Sequence, residues 1–335
     1  MMTVQQQRGP EAGTMGDAAV GAVLGALAGD AAGAVLEFGG KPTADGVERA
    51  LAFPGGGHWR VAPGQGTDDS ELTLALLRGL AEGGGYVPDV VAGWYARWRR
   101  SYPFDVGRAT AGGLQPAFDR AEGDHAGLHA AMTASAAQHN QLSMANGSLM
   151  RATPLGVWGH ALPVEQLVET VRLDSSVTHP HRACGDAVAA YVIAIASLVR
   201  TPGDRTAAWD AAWGWASAHV CDEVRGWMEA AVRGERPPFY PQAGFVRVAF
   251  TEAFRLLRSG ASWESGMREV LLEGGDTDTN ACIVGGMLGA AGGAESVPFS
   301  ARRAVLTWDP VAGQQRPRWL HPGDVVGVVL GLLDN

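Results

Sequence analysis

The chain has 335 residues, 46% of them hydrophobic, and a formal net charge of -9. That is enough apolar content for a large core, and the length alone allows one big domain or two ordinary ones. The acidic balance, with no run of Lys or Arg longer than two, argues against a duplex nucleic-acid grip based on phosphate neutralisation. Three widely spaced cysteines, Cys184, Cys221 and Cys282, fit neither a disulfide framework nor a zinc site, so a reducing cytoplasm is the expected home.

Residues 1–15 are polar, with Gln5, Gln6, Gln7 and a Gly-Pro step, and read as a disordered leader. Arg8 is balanced by Glu11 and Asp17, unlike the positive start of a secretory signal. The apolar run from Ala18 to Phe38 is long enough to span a membrane, yet Asp30 near its middle and Glu37 near its end favour a buried helix, Gly16 to Leu36. On that helix Gly21, Gly25, Gly29 and Gly33 recur every four residues and form one face, with Glu37 continuing the series. Each glycine costs about 1 kcal/mol relative to alanine, so the stripe predicts close approach by another helix.

Helical spacing continues over Asp69 to Ala81, Pro88 to Arg99, Val164 to Arg172, Arg182 to Val199, Arg205 to His219, Val246 to Leu257 and Asp278 to Ala291. The run from Ala187 to Val199 is apolar on every face apart from Tyr191 and Ser197, which predicts a central core helix rather than a span. Strand-like alternation is scarce, and no repeat or long linker appears. The expected organisation is a single all-α domain over residues 16–298, with a tail of residues 299–335 packing back onto it. No membrane association is expected, and a monomer is the default.

Two short acidic segments each precede an apolar helix: Gly66-Thr67-Asp68-Asp69-Ser70 and Gly274-Gly275-Asp276-Thr277-Asp278-Thr279. Helix capping explains one side-chain oxygen at each entrance. Four carboxylates with threonine hydroxyls beside them exceed that need, and like charges so close would repel unless a cation offsets them. Hard divalent ions such as Mg²⁺ or Mn²⁺ prefer such oxygen ligands. Asp276, Asp278 and Asn280 mimic the start of a calcium-binding loop, but Ala281 stands at its turn glycine and Met287 at its bidentate glutamate, so the spacing fails.

Several blocks then occur in order: Gly25-Ala26-Leu27-Ala28-Gly29-Asp30 leading to Glu37, Thr67-Asp68-Asp69, Pro103-Phe104-Asp105-Val106-Gly107 with Thr110, Asn146-Gly147-Ser148-Leu149-Met150-Arg151, Thr178-His179, and Gly274 to Thr279. Together they resemble the ADP-ribosylglycohydrolases, in particular the bacterial, dinitrogenase reductase-activating type. The resemblance implies a compact, single-domain orthogonal helix bundle. It implies two Mg²⁺ (or Mn²⁺) ions held by Thr67, Asp68, Asp69, Asp276, Asp278 and Thr279.

It further implies substrate contacts from Asn146, Gly147, Ser148, Leu149 and Met150, whose loop would receive diphosphate or ribose, and from His179. Asp105 and Glu37 would be the catalytic acids. The implied reaction is hydrolysis of the glycosidic bond between ADP-ribose and an acceptor, with ADP-ribosyl-arginine on protein as the leading substrate. A catalytically silent ADP-ribose-binding or structural member is one alternative, and a hydrolase of another small ribosyl metabolite is the other. Trp59, Tyr102 and Trp319 are candidate stacking surfaces for adenine.

Overall fold

The computed structural model describes residues 10–334. In its first half the helices are α1 (Met15–Gly33), α2 (Ala44–Ala50), α3 (Asp68–Gly83), α4 (Pro88–Arg100), α5 (Arg108–Gly113), α6 (Leu128–His139), α7 (Thr153–Trp158) and α8 (Val164–Ser176). They are followed by α9 (Arg182–Arg200), α10 (Arg205–His219), α11 (Asp222–Val232), α12 (Val246–Ser259), α13 (Trp263–Glu273), α14 (Thr277–Gly292), α15 (Phe299–Thr307) and α16 (Val325–Gly331). Among the described residues β pairing is confined to two isolated bridges, Gly56 with Val61 and Ala145 with Phe245. The protein is all-α, as its periodicity predicts.

Local chemistry sets the helix ends. Thr14 Oγ1 accepts the Asp17 N–H at 3.2 Å and starts α1, while Asp204 and Ser262 cap α10 and α13 in the same way. Gly84 and Gly260, both left-handed, terminate α3 and α12. The expected leader falls largely on residues 1–9, outside the described residues; Thr14 and Met15, assigned to it from sequence, belong to α1.

At the centre, α1, α9 and α14 are buried along almost their whole length. The helices α1 and α9 are long and apolar enough to cross a membrane, but 89% and 94% of the qualifying stretches are buried inside the fold. Their apolar faces are already covered by protein. The Tyr191 hydroxyl in α9 donates to the Ile283 carbonyl at 2.9 Å and lies 3.1 Å from Thr153 Oγ1, so this polar group in the core is satisfied.

The glycine stripe of α1 runs antiparallel against α14. A Cβ added at Gly21, Gly25, Gly29 or Gly33 would collide with the carbonyl oxygen of Gly289, Gly285, Ala281 or Thr277 respectively, and Gly285 and Gly289 face α1 in return. Backbone therefore packs on backbone over four turns, and the dispersion gained along the seam offsets the helix-propensity cost of the glycines. The antiparallel register brings the start of α14 to the end of α1.

The helix stops at Gly33 rather than continuing to Leu36, because the first turn of α14 arrives there and the Thr277 hydroxyl donates to the Gly33 carbonyl at 2.8 Å. Glu37 consequently leaves the stripe. It sits in the turn that follows, with its N–H bonded to the Gly33 carbonyl at 3.1 Å.

After α14 the chain returns across α1 through α15 and α16. Between them Arg316 reaches beneath α3, with Nε 2.7 Å from Glu71 Oε1 and Nη2 2.9 Å from Oε2; both side chains are almost wholly buried. Trp98 Nε1 donates to the same carboxylate at 2.7 Å.

The seam makes a clear stability prediction. Gly29→Ala should destabilise the protein by about 2–3 kcal/mol in denaturant unfolding, because the added methyl meets backbone. Gly214→Ala, on an open face of α10, should be neutral or stabilising by up to about 1 kcal/mol. Equal effects of the two substitutions would contradict backbone-on-backbone packing.

Candidate metal centre and substrate pocket

The two acidic segments, over 200 positions apart in sequence, meet in space. Thr67 Oγ1 lies 3.2 Å from Asp69 Oδ2 and 3.4 Å from Asp278 Oδ2, and Thr279 Oγ1 lies 3.3 Å from Asp69 Oδ2. All of these side chains are buried.

Capping does not account for them, because α3 is capped from another helix. Asp30, fully buried on α1, accepts the Thr67 N–H at 3.0 Å and the Ser70 N–H at 2.9 Å, and also lies 2.9 Å from Thr67 Oγ1. Neither Thr67 nor Asp276 makes a side-chain cap bond at the helix it precedes. Asp68 and Asp69 are thus free of the duty that usually places aspartate at a helix start. Sequence reading assigned Asp30 no role; its signals were a charge in the middle of an apolar helix and its place at the end of the Gly25 to Asp30 block.

One oxygen each from Asp30, Asp69 and Asp278 lies within 4.8 Å of the others, and the same holds for Glu37, Asp105 and Asp278. Asp278 is common to both groups. Among the described residues none of Asp68, Asp69, Asp276 or Asp278 forms an ion pair, and Asp69 Oδ1 is buried without a hydrogen-bond partner. Burial first, then the neighbouring carboxylates, pushes Asp68, Asp69 and Asp278 well above the usual carboxylate range. Burial, with Glu37 as the next largest influence, pushes Asp105 up to about 8. Glu37 is also raised by burial, opposed by Trp59, whose Nε1 donates to Glu37 Oε2 at 2.6 Å.

A donor set made only of hard oxygens, with an orphaned buried carboxylate oxygen and no protein cation, fits divalent ions of the magnesium and manganese type. Asp68, Asp276, Asp278 and Thr279 also line an open cavity of about 850 Å³, while Thr67 and Asp69 are buried.

The remaining wall of that cavity includes Glu37, Asp105, Asn146, Gly147, Met150 and His179, so most of the residues expected at the site share one space. Two do not. Leu149 is fully buried in the hydrophobic core, and Ser148 is fully buried with its Oγ unpartnered, outside the cavity lining. The loop is also less generous in backbone donors than its sequence suggests. Leu149 and Met150 N–H both bond the Asn146 carbonyl, at 2.8 and 3.1 Å, which leaves the amides of Gly147 and Ser148 without acceptors among the described residues. Asn146 Nδ2 donates to Asp276 Oδ2 at 2.7 Å and so steadies the acidic cluster.

The stacking candidates are placed differently from expectation. Trp59 holds Glu37, Trp319 packs on Trp94 beside another cleft, and Tyr102 is exposed. The aromatic residues lining the cavity are Phe38 and Tyr240. Sequence reading also left Arg151 and Asp174 without roles. They form a fully buried pair, 3.1 Å from Arg151 Nε to Asp174 Oδ2, directly behind the Gly147 loop.

The ADP-ribosylglycohydrolase family model matches residues 11–321. The chain is 26% identical over 287 residues to the ADP-ribosyl-[dinitrogen reductase] glycohydrolase of Rhodospirillum rubrum, a match covering 84% of this chain and 88% of the relative. It is 30% identical over 171 residues to the ADP-ribosylarginine hydrolase Tri1 of Pseudomonas putida, covering 49% and 42% of the two chains. A solved structure described as an ADP-ribosylglycohydrolase-related protein complex superposes with a TM-score of 0.72 at 25% identity, over 96% of this chain and 98% of the other.

The raised carboxylates give the metal-free protein a definite pH response. Because folding raises these carboxyl groups, Asp105 to about 8, the folded state binds more protons than the unfolded state between the ordinary carboxylate range and that value. Their stabilisation is therefore complete at low pH and is lost as pH rises through the folded pKa. The melting temperature of chelator-treated protein should fall as pH rises from the ordinary carboxylate range to about 8, and Mg²⁺ or Mn²⁺ should restore it most at the alkaline end. A profile that rises with pH, or one that ignores both ions, would refute this account of the cluster.

Proposed function

The chain belongs to the ADP-ribosylglycohydrolase family, whose members are hydrolases acting on glycosyl bonds, and on that premise we propose that it releases ADP-ribose from protein-linked ADP-ribosyl-arginine with two Mg²⁺ or Mn²⁺ ions. The observation that carries this reading is the meeting of the Thr67–Asp69 segment with the Asp276–Thr279 segment, where Asp278 belongs both to a group with Asp30 and Asp69 and to a group with Glu37 and Asp105. Thr67, Asp68, Asp69, Asp276, Asp278 and Thr279 are the proposed ligands, and Asp30 holds the first three in place. When bound, the ions supply positive charge that offsets carboxylate repulsion and orients the ribose hydroxyls.

The chain's own groups supply the rest. Cleavage of a glycosidic bond builds positive character at the anomeric carbon, which the carboxylates of Glu37 and Asp278 in the cavity wall would stabilise while a water adds there. Burial and Glu37 favour the protonated form of Asp105 in the ion-free protein, and we assign it as the donor of a proton to the departing acceptor atom. Trp59 fixes the orientation of Glu37 beside it. The free amide of Gly147, in the cavity wall, suits the diphosphate.

A guanidinium acceptor suits the same wall electrostatically, and the likeness to the ADP-ribosylarginine hydrolase of Pseudomonas putida supports arginine over other linkages. The three free cysteines, two of them buried, support the cytoplasm as the place of action.

The pure protein, incubated with Mg²⁺ against arginine-, serine- and nucleic-acid-linked ADP-ribose, should release ADP-ribose fastest from arginine. Asp105→Asn should lower that turnover by about 10²–10⁴-fold while metal stays bound. Asp278→Ala should abolish metal binding in calorimetry. Full turnover by Asp105→Asn removes its assigned role, and unchanged metal binding by Asp278→Ala removes the shared ligand.

A further inference from the structure

Arg151 is fully buried, and all three of its guanidinium nitrogens are engaged. Nε lies 3.1 Å from both the Tyr95 hydroxyl and Asp174 Oδ2, and Nη2 donates to the Asp174 carbonyl at 2.8 Å. Nη1 donates to the Gly147 carbonyl at 3.0 Å and to Thr178 Oγ1 at 2.9 Å. A guanidinium has no acceptor, so the Thr178 oxygen must receive that bond. The Thr178 proton then has a single acceptor within reach among the described residues, His179 Nδ1, 2.8 Å away.

Were Nδ1 protonated instead, the fully buried Thr178 hydroxyl would be a donor without an acceptor, which burial makes unfavourable. Nδ1 is therefore the acceptor, and the ring proton sits on Nε2. That nitrogen has no protein partner among the described residues. It lies 3.1 Å from where a Cβ on Gly147 would stand, and both His179 and Gly147 line the large cavity.

We infer that Arg151 and Thr178 are positioning residues that lock His179 as its Nε2–H tautomer, a donor presented beside the Gly147 loop to a phosphate-type oxygen of the substrate. Burial, and then the Arg151 charge, lowers the His179 pKa to about 3, which keeps the ring neutral. Asp174 and Tyr95 hold the guanidinium from its other side, so the relay starts from a group with no freedom to turn. The nature of the ligand rests on the ADP-ribose reading; the tautomer rests on hydrogen-bond accounting alone.

The two are separable by experiment. Long-range ¹H–¹⁵N correlation spectra of the ligand-free protein, with the His179 signals identified by their loss in His179→Gln, should show an Nε2–H ring at neutral pH. Thr178→Val keeps the shape but removes the hydroxyl; it should yield a mixed tautomer and weaken ADP-ribose binding about tenfold, while Thr178→Ser restores both. A wild-type ring carrying its proton on Nδ1, or on both nitrogens, overturns the relay even if the variants fail to fold. An Nε2–H ring in a protein that does not bind ADP-ribose would uphold the relay and overturn the proposed function.

Discussion

The rest of the molecule depends on the contact between α1 and α14. Glycine on both helices lets their backbones touch, and once they touch, their register is fixed to the residue, because each carbonyl of one helix occupies the space a side chain of the other would need. That register delivers Asp276 to Thr279 to the end of α1, next to the α3 entrance that Asp30 holds from the same helix. A packing constraint in the interior thus sets distances between carboxylates at the pocket. A looser pair of helices, packed through leucine or valine, would leave those distances free to drift.

Two ways of handling buried charge lie side by side here. Arg151 and Asp174 are paired and hydrogen-bonded on all sides, so the cost of burying them is met locally and they serve as a rigid support. The carboxylates facing the cavity are buried without any such partner, and desolvation together with mutual repulsion raises their pKa values. A protein gains nothing in stability from that arrangement. It is the signature of a site built for charge that comes from outside.

Much of this was legible in the chain. The eight helices read from apolar spacing all form, and the every-fourth glycines of α1 announced a close neighbour before that neighbour was known. The acid-rich helix entrances were legible because they held more oxygen than capping requires. Less was legible where side chains act on segments far away in sequence. Asp30 looked like an awkward charge in an apolar helix, although it caps α3 some 40 positions later. Arg151 closed the Asn146 to Arg151 block and Asp174 followed an expected helix, but nothing in the sequence paired them.

Short helices such as α2, α5 and α7 span too few turns to show a period. Leu149 was grouped with the binding loop because neighbours in sequence were treated as neighbours in role, whereas the turn leaves Gly147 and Met150 at the cavity and sends Leu149 into the core.

The Arg316–Glu71 pair bears on the order in which the protein matures. Glu71 lies in the first turn of α3, and its counter-ion arrives from residue 316, long after the helix itself has been synthesised. The seam likewise joins the first helix to one that begins at residue 277. A nascent chain therefore carries its acidic entrances apart until α14 has been made, and Glu71 stays uncompensated until residue 316 follows. Fragments that end before α14 cannot bring the acidic entrances together.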